Sequence, residues 1–251
     1  IMAISQFIGQ FAWVVAPWIW VIIYNPNLFD SPESATRQLA VIIGIACMLF
    51  AITPALFISS KSTLEDKNLI PLTKENIGKS FKNIFVIFND AFKNIPFRKL
   101  CIATFLVFNS FQTIAAFSFF IIVYYLFNGD AGAAGVWPTL HGSVGAICTS
   151  FLVIPILSFM AQKIGKKNTF IISQAVSVVG YILFWFLFIP GKPYMFLFAL
   201  PFFSFGIGGL FTLMMSMTAD VCDLDELENG LPRKEGSFGA IYWWMVKLGT
   251  A

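Results

Sequence analysis

Three carboxylates late in the chain are the first residues whose spacing suggests chemistry. Asp220, Asp223 and Glu226 are spaced i, i+3, i+6, so on a helix they stack along one face. Arg233 and Glu235 follow, and six of the 13 acidic residues fall within 220–235. A row of carboxylates beside a guanidinium makes and breaks ion pairs; it does not by itself form or cut covalent bonds. Its position at a helix end is unusual, because helix C-termini favour cations. It reads either as a solvated loop or as a cytoplasmic gate whose pairs form in one conformation and break in another. Lys247 stands about twelve residues inside an apolar run, where a charge is costly and normally faces a cavity or a partner. There it can balance a carboxylate, compete with a bound Na⁺ or H⁺, or donate to a hydroxyl; the alternative is a stem that snorkels to the far surface. Other reactive groups are sparse. Cys47, Cys101, Cys148 and Cys222 are widely spaced without a CxxC, and His141 is the single histidine. Free thiols are expected, with neither a zinc site nor a disulfide framework. No nucleophile–base pair stands out, so an enzyme and a bound cofactor are not expected.

The elements that must hold these residues are apolar. Of 251 residues, 58% are hydrophobic and 12% charged, with 30 Phe; an ordinary soluble domain has about twice that share of charge. A soluble globule and a disordered chain are both excluded on this balance. Seven segments are long enough to cross a bilayer, or begin to be: 2–24, 37–58, 99–127, 138–160, 169–190, 193–219 and 236–251. They lack β-alternation, so helices fit and a barrel does not. Thirteen of the 16 basic residues fall in 59–99, 161–168 and 220–235, only Arg37 and Lys192 fall on the opposite side, and Lys247 is inside a span. The positive-inside rule puts the first three stretches in the cytoplasm and 25–36 and 128–137 outside. The lysines follow this topology and carry no sign of nucleic-acid binding; the bilayer is the expected partner.

Within the long loop, Ile77, Phe81, Ile84, Phe85, Phe88 and Phe92 form one stripe and Lys79, Lys82, Asn83, Asn89, Asp90 and Lys93 the other. This predicts an amphipathic helix on the cytoplasmic face; the alternative is a linker packed on the bundle. Inside the spans, Gln6 and Gln10 share a face with Trp13, and Asn109, Gln112 and Thr113 share another. Amides, hydroxyls and an aromatic platform suit a polar solute, and the same residues also serve as glue between helices. Tyr242 is a further cavity candidate. His141, at the outer start of its span, reads as a capping or interface residue rather than a proton relay. Gly206, Gly208 and Gly209 predict close helix packing. The first residue is Ile and the last apolar run stops short, so a fragment of a longer membrane protein is expected.

Two helix bundles joined by a cytoplasmic loop carrying a helix is the layout of the major facilitator fold. The expected fold is an incomplete all-α major facilitator-type bundle of about seven helices, helices five to eleven. Residues 1–58 would close the N-terminal half, 59–98 form the middle loop, and 99–251 belong to the C-terminal half. The stretch MTADVCDLDELENGLPRKEGSFGAIYWWMVKLG, 217–249, resembles the glycoside–pentoside–hexuronide:cation symporter family: A-D-x-x-D-x-x-E, a short basic turn, R-x-E, then a helix with a lysine. Ala219, Asp220, Asp223, Glu226, Arg233, Glu235 and Lys247 match, with about one extra residue in the turn. The turn QKIGKK, 162–167, resembles the basic turn between helices eight and nine of major facilitator proteins. The resemblance implies uptake of a sugar or glycoside coupled to Na⁺ or H⁺. It implies cytoplasmic gating by Asp220, Asp223, Glu226 and Arg233, and places Lys247 near the cation and sugar sites. Tyr242, Trp243 and Trp244 depart from the family's small polar residues. A multi-pass protein of a bacterial inner membrane, monomeric when full length, is expected. A lipid or lysolipid transporter on the same fold and a non-transporting sensor are the other readings.

Overall fold

The computed structural model describes residues 2–57, 86, 88–230 and 235–250. Among them the regular structure is helical throughout. Six helical stretches are long and apolar enough to cross a membrane: Gln6–Ile23, Pro32–Pro54, Ile95–Leu126, Ala131–Ile164, Lys166–Leu187 and Pro193–Asn229. The seventh expected span is the 16-residue helix Glu235–Thr250. Packing divides the chain into two units, Ile1–Val21 with Phe88–Ala251, and Ile22–Ile87. The contacts group the first helix with the later ones.

In the larger unit, α1 (Met2–Val15) is followed by a turn at Ala16–Pro17 and by α2 (Trp18–Ile23). Proline cannot donate a backbone hydrogen bond, so the helix loosens there. The carbonyls at this break are taken by a neighbour. Thr139 Oγ1 donates to the Pro17 carbonyl at 2.8 Å and Ser143 Oγ to that of Val14 at 2.7 Å. The smaller unit contains α3 (Pro32–Phe57), whose start is held by Ser31 Oγ accepting from the Ser34 N–H at 3.2 Å.

Next come α4 (Ile95–Phe120) with a π-turn at Ile121–Leu126, α5 (Ala131–Ala134), α6 (Trp137–Cys148) with a π-turn at Thr149–Val153, and α7 (Ile154–Ile164). Then follow α8 (Lys166–Leu187), α9 (Leu200–Gly209) with a π-turn at Leu210–Met214, α10 (Met215–Asn229) and α11 (Glu235–Thr250). Glycines bring these helices together. A Cβ on Gly180 would lie 2.5 Å from the Phe203 nitrogen, and one on Gly249 would lie 2.8 Å from the Phe105 oxygen. Gly206, Gly208 and Gly209 face Ser177, Val153 and Ser173, which bears out the expected close packing. Several hydroxyls are satisfied locally: Thr104, Thr149 and Ser150 each donate to the carbonyl four residues back. Ser204 donates to the Gly145 carbonyl and Gln174 to that of Gly206, which links neighbouring helices. In a bilayer interior no water can replace these bonds.

The helices outrun the expected apolar spans. The stretch 220–229, expected as part of a loop, continues the sixth span as helix to Asn229. Helix formation depends on backbone bonding rather than hydropathy, and the first stop is Gly230 at φ 75°. Likewise α4 begins at Ile95, so Arg98 and Lys99 lie in its first turns. The expected amphipathic helix lies mostly outside the described residues. Its end, 88–93, is helical, and Phe88 and Phe92 pack onto a buried cluster of Ala91, Phe97, Cys101, Cys222, Phe238 and Ile241.

Candidate functional site

The acidic row sits on α10. Lys166, the first residue of α8, donates to both Asp220 oxygens, at 2.6 and 2.8 Å. Gly165, at φ 81°, turns the chain so that α8 starts there. Side-chain exposures of 36% and 53% leave this pair in contact with solvent, so it contributes at most about 1 kcal/mol. The partner of Asp220 comes from the turn between α7 and α8, because that turn projects from the same bundle end. Asp223 is exposed, Glu226 half-buried, and Glu235 opens the first turn of α11, where the helix dipole favours an acid. Arg233 lies outside the described residues.

Asp225 was not singled out from sequence. It is 5% exposed, and its Oδ1 accepts from Asn94 Nδ2 at 3.2 Å and from Asn229 Nδ2 at 3.0 Å. Asn94 is also the N-cap of α4, its Oδ1 accepting from the Phe97 N–H at 3.0 Å. The Asn-Ile-Pro run at 94–96 is a readable helix-start signal. Asp225 was hidden because five residues from Asp220 is about 140° around the helix, off the row.

Lys247 is exposed. The buried residues of α11 are Phe238, Ile241, Tyr242, Val246 and Gly249, which face α4 and the π-turn at Leu210–Met214, and Lys247 lies nearly opposite them. Tyr242 is buried. At 2% exposure it packs with Leu100, Phe108, Leu210, Met214 and Val246. Five residues along a helix put it on the far side from Lys247. Asn109, Gln112 and Thr113 are exposed on α4, and a Cβ on Gly249 would come 3.2 Å from the Asn109 nitrogen. Gln10 is buried, Trp13 is 62% exposed, and Gln6 Nε2 approaches Met215 Sδ at 4.0 Å. The contacts of Gln6 thus run to α10, while Asn109 borders α11. His141 packs among the rings of Phe184, Phe196 and Phe203, with centroids 5.7–5.9 Å away, as an interface residue does. An apolar crevice of about 200 Å³, lined by Phe117, Tyr181, Trp185 and Phe188 among others, holds none of the polar candidates. Among the described residues no His, Cys, Asp and Glu gather as a metal site would need.

The sequence matches the family model described as MFS/sugar transport protein over residues 2–251. It is 31% identical over 159 residues to the glucuronide carrier protein homolog of Escherichia coli (strain K12). That match covers 63% of this chain and 33% of the carrier, so it spans about a third of the relative's length. No solved structure matches the chain significantly. Membrane-length helices and the family match converge: this multi-pass membrane chain belongs to the MFS/sugar transport protein family.

Proposed function

We propose that the full-length protein is a secondary transporter of a bacterial inner membrane, coupling uptake of a sugar or glycoside to Na⁺ or H⁺ by alternating access. The observation that carries this reading is Lys247. An exposed lysine in the last turn of the apolar helix α11, turned away from the packed face, calls for a polar surrounding, and a water-lined transport cavity would provide one. Asp220, Asp223, Glu226, Arg233 and Glu235 are proposed as the cytoplasmic gate, with Lys166 holding Asp220. Gln6, Gln10, Trp13, Asn109, Gln112, Thr113 and Tyr242 are the proposed cavity side chains. The similarity to a protein named for glucuronide carriage supports a carboxylate-bearing glycoside, for which Lys247 supplies the opposite charge.

The test is uptake of a radiolabelled glucuronide into vesicles holding the full-length protein. Uptake under an inward Na⁺ or H⁺ gradient should exceed uptake without one and collapse when an ionophore dissipates it. Equal uptake with and without both gradients would overturn coupling. Saturable uptake of a lysophospholipid in place of the glycoside would overturn the substrate class.

A further inference from the structure

We infer that Asn94 and Asp225 form a clasp that sets the position of α4 for transport, with Asp225 acting through Asn94 as a positioning residue. Asn94 uses both ends of its amide. Its oxygen caps α4 at the Phe97 N–H, and its nitrogen donates to Asp225 131 residues away. Asn229 donates to the same carboxylate oxygen from one turn further along α10. The favoured N-cap residues are Asn, Asp, Ser and Thr. Asp in this place would cap but set a second carboxylate against Asp225. Ser or Thr would cap but lacks the reach and the second donor. Asparagine alone among them both caps and grips.

The location gives the clasp its leverage. Phe97, Cys101, Cys222 and Phe238, all buried, belong to the adjoining cluster. The helical end of the middle loop, 88–93, enters α4 directly at Asn94. The N-terminus of α4 presents partial positive charge to the buried Asp225 carboxylate, and a charge-assisted bond of this kind is about twice as strong as a neutral one. From Asn94 to Gln112 is about 27 Å along the helix. A pivot of about 10° at the cap would therefore carry Gln112 about 5 Å sideways. The clasp thus aims Asn109, Gln112 and Thr113, and this role rests on the cavity reading above.

The bond pattern can be reversed. With Asn94→Asp and Asp225→Asn together, the carboxylate caps α4 and the amide donates back. Each single variant weakens the pattern, Asn94→Asp by setting two carboxylates against each other and Asp225→Asn by reducing a charge-assisted bond to a neutral one. The measurement is alkylation of Cys222 and Cys101 by N-ethylmaleimide in membranes holding the full-length protein, with the other cysteines replaced by serine. Uptake of labelled glucuronide is measured alongside, with kcat and KM separated. Both thiols should react slowly with the native clasp and on the order of ten-fold faster in each single variant, the population change expected for one charge-assisted hydrogen bond. The double variant should return to the native rate. KM should rise in the single variants and recover in the double. Single variants that alkylate at the native rate would overturn the clasp, as would a double variant that stays fast. Recovered protection without recovered KM would overturn the aiming role. If the native protein shows no glycoside uptake while the alkylation pattern holds, the transport reading fails and the clasp stands.

Discussion

Single side chains separate the readings of this protein most sharply. Lys247 and Tyr242 are five residues apart, yet one is exposed and the other 2% exposed in the core. Chain distance showed both near the signature, but only the packed structure shows which side of α11 each occupies. Lys247→Ala removes charge and donor; Lys247→Arg keeps the charge and changes its shape. If the lysine balances a carboxylate or the substrate, initial uptake against cation concentration should shift in midpoint or ion choice for the alanine variant, while arginine retains part of the native dependence. A near-native curve for alanine would show that the side chain only snorkels. The acids divide by the same logic. Asp220, Asp223 and Glu226 were legible as a row, because period alone defines it. Asp225 lies off that row, and its importance comes from a partner 131 residues away, which no local pattern reveals.

Helices in this chain meet through missing side chains. Gly180 lets α8 touch the backbone of α9, where a Cβ would stand 2.5 Å from the Phe203 nitrogen and 2.9 Å from the Phe202 carbonyl carbon. Backbone cannot step aside as a side-chain tip can, so Gly180→Ala should cost about 1–3 kcal/mol of the kind that overpacking causes. Gly44→Ala in α3 meets nothing within 4 Å, and should instead leave stability unchanged or raise it slightly through helix propensity. Thermal unfolding of the two variants in one detergent compares them; equal midpoints would mean that the α8–α9 seam is looser than described. The spans themselves were readable from hydropathy, because lipid selects apolar surface over about 20 residues. Their ends were not. Arg98, Lys99, Lys166 and the acids of 220–229 are polar but helical, since hydrogen bonding continues into water where hydropathy stops.

At the scale of the whole chain, orientation rests on charge. Thirteen basic residues on one side against two on the other predict that Asn27→Cys reacts with an impermeant maleimide in intact cells and Lys163→Cys only after the membrane is opened, each on a cysteine-free full-length parent. The reverse pattern would invert the topology. The order of packing was harder to foresee than the order of spans. Residues 1–58 read as neighbours in sequence, but the bonds from Thr139 and Ser143 tie α1 to α6, a pairing that hydropathy cannot encode. The seam where Gly249 meets Phe105 and Phe108 also imposes a timetable. Ribosomes add roughly 5–20 residues per second, so α4 enters the bilayer on the order of ten seconds before α11 has been made. During that wait the part of its face that later packs on α11 lacks that partner. Thr104, which later sits 3.6 Å from Met214 Sδ, already has the Leu100 carbonyl at 2.8 Å within its own helix. The nascent helix therefore meets lipid with its hydroxyl satisfied, and can stand in the membrane unaccompanied until its partner is translated.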